Sequence, residues 1–171
     1  MAKRRKAMKR SPGAVLTRRH ARMRPAGRKG GGSTRELPAF QGFVSTETAA
    51  AQKIDLIRAG VGARMVDDMV AYLEVPKAVI FALLHTPEST AHKLIKDNRT
   101  LDAAASAGVV RVADIARMAE TTFGGREPAT HWLKTANLAL SGATPLSMLD
   151  TEPGAAEVRR VLQAINAGGV L

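Results

Sequence analysis

Cysteine is absent from this 171-residue chain. Disulfide scaffolds, thiolate-held zinc and thiol catalysis are therefore excluded. Aromatic residues are scarce, with one Trp, one Tyr and four Phe, whereas alanines number 30. A core must then be assembled from small side chains at close approach, which favours helices over a sheet. Long apolar runs are missing as well. The longest, Ala78–Leu84, has seven residues, where a membrane-spanning helix needs roughly 20. No apolar stretch of signal-peptide length follows the basic N-terminus, and the Lys-dense MAKRRKAMKR before a glycine run is a poor match to a transit peptide. The expected location is cytoplasmic.

Acidic residues are lacking from one part of the chain only. The net charge of +11 hides a division: residues 1–35 carry 13 Lys and Arg and no acid, and the remaining 13 bases face all 15 acids. A very basic arm is joined to a slightly acidic body. Like charges, Pro12, Pro25 and Gly30-Gly31-Gly32 predict that the arm is disordered. Polycationic arms of this kind bind phosphate backbones through counterion release, with little sequence preference.

The body reads as helices. LPAFQGF (37–43) is a short apolar strap. Ser45 or Thr46 is the expected cap of a helix over about 47–58, with Ala50, Ile54 and Ile57 on its inner face and Gly60 as its stop. Val66, Met69, Val70 and Leu73 give the stripe of a second helix over about 63–73. Pro76 opens a third, about 76–84, and Pro87 or Glu88 a fourth, ending near Asp97. A long helix over about 102–123 carries Ala105, Gly108, Val109, Val112, Ile115, Ala116, Ala119 and Phe123 on one face. GVVRVADI within it could form a strand, but no neighbouring segment offers a partner. Three short helices follow, at about 128–135, 144–150 and 153–167, the last with the stripe Val158, Val161, Leu162 and Ile165.

Catalytic sets do not converge. Asp67 and Asp68 are adjacent on a helix and do not face each other. The four histidines lack metal-ligand spacing, and GRKGGGST lacks the Gly-Lys-Ser/Thr ending and preceding strand of a phosphate loop. No enzyme activity, cofactor or metal is expected. Helix 76–84, a short turn and helix 88–97 have the proportions of a helix-turn-helix. Its second helix offers Ser89, Thr90, His92, Lys93 and Lys96, with Arg99 just beyond, as DNA-binding candidates. That is a small positive charge for a groove reader. Trp132 reads as a core anchor.

The C-terminal stretch is more specific. It places Trp132 and Asn137 before Leu140-x-Gly142-x-x-Pro145-Leu146-x-x-Leu149, then Gly154-x-x-x-Val158 and a helix ending at Gly168. This resembles the toxin-binding domain of the Xre/MbcA/ParS antitoxins, partners of RES-domain toxins. Residues 63–123 resemble the Xre-type helical domain more loosely, through Ser89-Thr90, Leu101, Ser106 and Arg111. The resemblance implies an all-α chain with an arm (1–35), an Xre-like helix-turn-helix domain (36–127) and a toxin-binding domain (128–171). It implies an antitoxin that blocks the active site of a toxin consuming NAD or transferring ADP-ribose, forms a homodimer within a larger complex, and binds operator DNA. The toxin-binding residues would be Trp132, Asn137, Arg159, Arg160, Gln163, Gly168, Gly169, Val170 and Leu171. The alternative reading is a free-standing helix-turn-helix regulator that uses the basic arm on DNA.

Overall fold

The long alanine-rich segment forms one helix, Ala103–Phe123, and the rest of the body is arranged around it. The computed structural model describes residues 40–168; the basic arm and Gly169, Val170 and Leu171 lie outside them. The described residues form eight α-helices: α1 Phe40–Ser45, α2 Ala50–Ala59, α3 Met65–Leu73, α4 Lys77–Leu83, α5 Glu88–Lys96, α6 Ala103–Phe123, α7 Arg126–Lys134 and α8 Glu152–Asn166. Two short 3₁₀ turns, Leu138–Leu140 and Leu146–Asp150, join α7 to α8. The all-α architecture expected from composition is the one observed.

Helix α6 begins where Asp102 accepts a hydrogen bond from the Ala105 amide at 2.8 Å, and it ends at Gly124 in the left-handed region. Between these caps Ala105, Ser106, Gly108, Val109, Val112, Ala113, Ile115, Ala116 and Ala119 are buried. Small side chains let other axes approach from several directions at once: α1, α2, α7, α8 and the turn Leu146–Asp150 all pack on α6. The Val-rich segment is helical, and it finds no strand partner among the described residues. The sole extended pairing described is an isolated antiparallel bridge between Gly62 and Thr100. There Leu101 donates to the Val61 carbonyl at 2.7 Å and Ala63 to the Arg99 carbonyl at 2.8 Å. Gly60, at φ 81°, turns the chain into this bridge.

Several local expectations are corrected. The apolar strap is in part a helix: Phe40 and Val44 are fully buried, and Phe40 meets the Tyr72 ring edge-on at 5.1 Å. Helix α2 starts at Ala50 and has no side-chain cap, so neither Ser45 nor Thr46 opens it. Its Ile54 is exposed, because α2 lies on α6 by Leu56 and Ile57. Pro76 precedes α4 as its cap residue and does not sit in the first turn. The segment expected as helix 144–150 is a single 3₁₀ stretch, too short to settle into α geometry between Pro145 and Thr151.

Polar contacts tie the C-terminal segment to α6. Arg111 donates to the carbonyls of Leu149 at 2.9 Å and Asp150 at 3.1 Å, and its Nε reaches Glu152 at 3.1 Å. His85, in the turn before α5, lies 3.0 Å from the same Asp150 carbonyl through Nε2. Arg159 closes the group onto Glu152 at 2.9 Å. Burial alone would raise the Glu152 carboxyl, but the hydrogen bonds and charges of Arg159 and Arg111 outweigh it and hold the group below its ordinary value of 4.5. At the opposite end of α6, Tyr72 donates to Glu120 at 2.6 Å, under Arg126. Burial first, then Glu120, pushes the Tyr72 phenol well above its ordinary range, against the opposing charge of Arg126. It therefore stays a neutral donor.

Two predictions follow from this packing. A methyl group at Gly154 would run into the Met148 carbonyl oxygen, which is backbone and fixed. Helix propensity favours Ala over Gly by ~1 kcal/mol, but overpacking costs ~1–3 kcal/mol, more against backbone. Gly154→Ala should therefore lose about 1–2 kcal/mol by urea unfolding. Gly108→Ala meets only the far end of the Leu84 side chain, at 2.8 Å, and should lose less. The second prediction concerns Glu152. A carboxyl with a lowered folded pKa contributes stability that is complete above its ordinary value and lost as pH falls through the lowered one. Glu152→Gln should melt below the parent at pH 7, and the two melting curves should converge on acidification towards pH 3.

Candidate toxin-binding and helix-turn-helix surfaces

Helices α4 and α5 form the expected helix-turn-helix, with residues 84–87 between them. Ile80, Phe81, Leu83 and Leu84 bury the first helix, and Ala91 is the one fully buried residue of the second. All six DNA-binding candidates (Ser89, Thr90, His92, Lys93, Lys96 and Arg99) are exposed. Ser89, Thr90, Lys93 and Arg99 line one shallow groove with Leu94 and Asp97. His92 departs from the set: its ring packs edge-on against Phe81 at 5.3 Å and reaches Glu88 at 3.3 Å. It braces the start of α5. The acids Glu88 and Asp97 at the two ends of α5 offset Lys93 and Lys96, so the surface is less positive than its lysines suggest.

The toxin-binding candidates fall into three groups. Trp132 is half-buried and tilts against Phe123 at 5.3 Å, closing the corner between α6 and α7. Asn137 accepts from the Ala139 amide at 2.8 Å, and its backbone amide and carbonyl bond to Ala143 and Gly142. It shapes the turn that follows. The third group is on α8, whose inner face of Val158, Val161 and Leu162 is buried. Gln163 and Arg160 are exposed and Arg159 is half-exposed. Arg160 is held by Glu157 at 2.6 Å and Arg159 by Glu152, so the outer face alternates charge. Gly168, at φ 76°, takes the chain off the α8 axis.

Two features escape the sequence patterns. Arg111 matches an expected basic position, but its hold on the 149–152 segment depends on a fold contact 38 residues away. Leu138 is 96% exposed, beside the buried Leu140. It lies between helices, where no period assigns a face. The sole local signal is Asn137, a residue type that caps turns.

Comparison with known proteins bears on these surfaces together. Residues 52–114 match the family model described as the antitoxin Xre-like helix-turn-helix domain. Residues 118–168 match the antitoxin Xre/MbcA/ParS C-terminal toxin-binding domain. A protein from a Sphingobium species named "Prs ADP-ribosylating antitoxin" is 28% identical over 140 residues, covering 77% of this chain and 88% of that protein. "Antitoxin Xre" from Pseudomonas putida is 34% identical over 82 residues, 48% of this chain and 52% of the relative. The two matched domains occur in order across one continuous helical core, and the chain belongs to the Xre/MbcA/ParS family of antitoxins of toxin–antitoxin systems.

Proposed function

We propose that this antitoxin binds and inhibits a RES-domain toxin in the cytoplasm by covering the toxin's active site. The observation that carries the reading is α8. It is clamped at its start by Arg111 and along its inner face by Val158, Val161 and Leu162, while Arg159, Arg160 and Gln163 remain on the outside. A helix held in this way presents a fixed polar face to a partner at little entropic cost. In this reading residues 168–171, which follow α8, extend the same surface into a concave site on the toxin. The name of the Sphingobium relative favours ADP-ribosyl transfer over NAD breakdown as the toxin's reaction.

A second element of the proposal is autoregulation. A homodimer would place two α5 helices on operator DNA, with the basic arm adding sequence-independent phosphate contacts. The exposed row of Ser89, Thr90, Lys93, Lys96 and Arg99 supports it. No element of this reading asks the antitoxin to catalyse a reaction.

The test uses the full chain and a RES-domain toxin, first sought as the product of an adjoining reading frame, with NAD consumption as the readout. Removal of residues 168–171 should leave the complex largely formed but restore part of the toxin's activity. Arg160→Glu should weaken the complex itself, since it sets a second carboxylate beside Glu157. If the shortened chain inhibits fully at equal ratio, the tail does not enter the cleft. A parent protein that ignores the toxin yet binds its own promoter would be a free-standing regulator instead. Replacing Lys93 and Lys96 together by Glu should reduce promoter binding at physiological salt, and should leave toxin neutralisation unchanged. Equal gel shifts for parent and variant would remove α5 from the DNA interface.

A further inference from the structure

We infer that Leu138 is the apolar anchor through which this antitoxin seats in a pocket on its toxin. The inference rests on the toxin-binding reading and names the contact within it. Leu138 is 96% exposed, far more than Ile54 at 46% or Val79 at 38%, the other large exposed apolar residues described. An exposed leucine on a loose loop would mean little. This one stands on a turn closed from both sides. Asn137 caps it through the Ala139 amide at 2.8 Å, and the Leu140 and Gly142 amides both donate to the Asn137 carbonyl, at 3.0 and 2.9 Å. Ser141 donates to the Leu138 carbonyl at 3.1 Å, and the Asn137 amide reaches Ala143 at 3.0 Å. Leu140 is buried, and the turn packs against α8. The backbone is therefore fixed while the leucine side chain points into water.

The exposed neighbours along the chain are all small: Thr135, Ala136, Ala139, Ser141 and Gly142. A partner surface can close down on the leucine without displacing a bulky or charged group. A single projecting side chain with a rim of small residues can fill a pocket on a partner and be fully desolvated there, the environment in which one residue dominates an interface. It offers too little apolar area for a stable pairing of two copies, which takes about 800 Å² from each partner. Its place inside the stretch matched to the toxin-binding domain, and its packing on α8, select the toxin as the occupant.

The experiment measures binding of full-length parent and variants to the RES-domain toxin used in the test above. Because the side chain makes no core contact, Leu138→Ala and Leu138→Asp should melt with the parent. Loss of a buried leucine anchor should weaken binding about tenfold for Leu138→Ala, and on the order of a hundredfold or more for Leu138→Asp. Leu138→Met should stay within about threefold of the parent. An alanine variant within twofold of a parent that does bind would overturn the anchor and leave the toxin reading intact. So would unchanged toxin affinity with an altered oligomeric mass of the antitoxin alone, which would place the leucine between copies. A parent that fails to bind would overturn the toxin reading, and this inference with it.

Discussion

Close approach to α6 is the constraint on which the molecule depends. With six aromatic residues in the whole chain, volume cannot fill the space between helices. The axes have to come together, and Ala105, Gly108, Ala113, Ala116 and Ala119 allow it. Gly108 shows how little room is left along α6: an added methyl there would meet the Leu84 side chain at 2.8 Å. The helix also spans the seam of the family match: the helix-turn-helix model ends at residue 114 and the toxin-binding model begins at 118, both inside α6. The two domains therefore share a core helix.

Polar side chains do at the ends of α6 what packing does along its middle. Tyr72, Glu120 and Arg126 fix the corner where α6 gives way to α7, with Arg126 also holding the carbonyls of Ala71 and Tyr72. Nearer the start, Arg111 satisfies carbonyls that a short 3₁₀ turn leaves without intrahelical partners. Because His85 reaches the same Asp150 carbonyl, the turn before α5 and the start of α8 share one acceptor. The helix-turn-helix and the start of α8 are thereby adjacent parts of one hydrogen-bonded group.

Much of this was legible in the residues. The stripe over 102–123 marked the inner face of α6, and that of Val158, Val161 and Leu162 the inner face of α8, because a 3.6-residue period needs no knowledge of the partner. The helix-turn-helix was equally plain from Pro76, the short turn and Pro87. What could not be read depended on tertiary placement. Of the expected α2 stripe Ile57 packs on the core, yet α2 is rotated so that Leu56 joins it there while Ala50 and Ile54 are exposed. Pro145 announces a helix, but only a 3₁₀ turn fits before Thr151. Trp132 was readable as a core anchor and is one, whereas the turn-forming role of Asn137 was not anticipated. Phe123 draws Trp132 inward, and Asn137 is spent on its own turn. Leu138 carried no signal because exposure is a property of the folded surface.

The helix shared by both matched domains also bears on how such a protein can diversify. Families built of domains on a flexible linker gain new pairings when recombination exchanges one domain for another. Here a crossover between the two units would cut through α6 and leave its buried face to be matched by foreign neighbours. Single replacements on the outer surfaces of α5, the 138–140 turn and α8 leave that spine unchanged. Such a scaffold can vary at its exposed edges one residue at a time, but not by the exchange of a whole half.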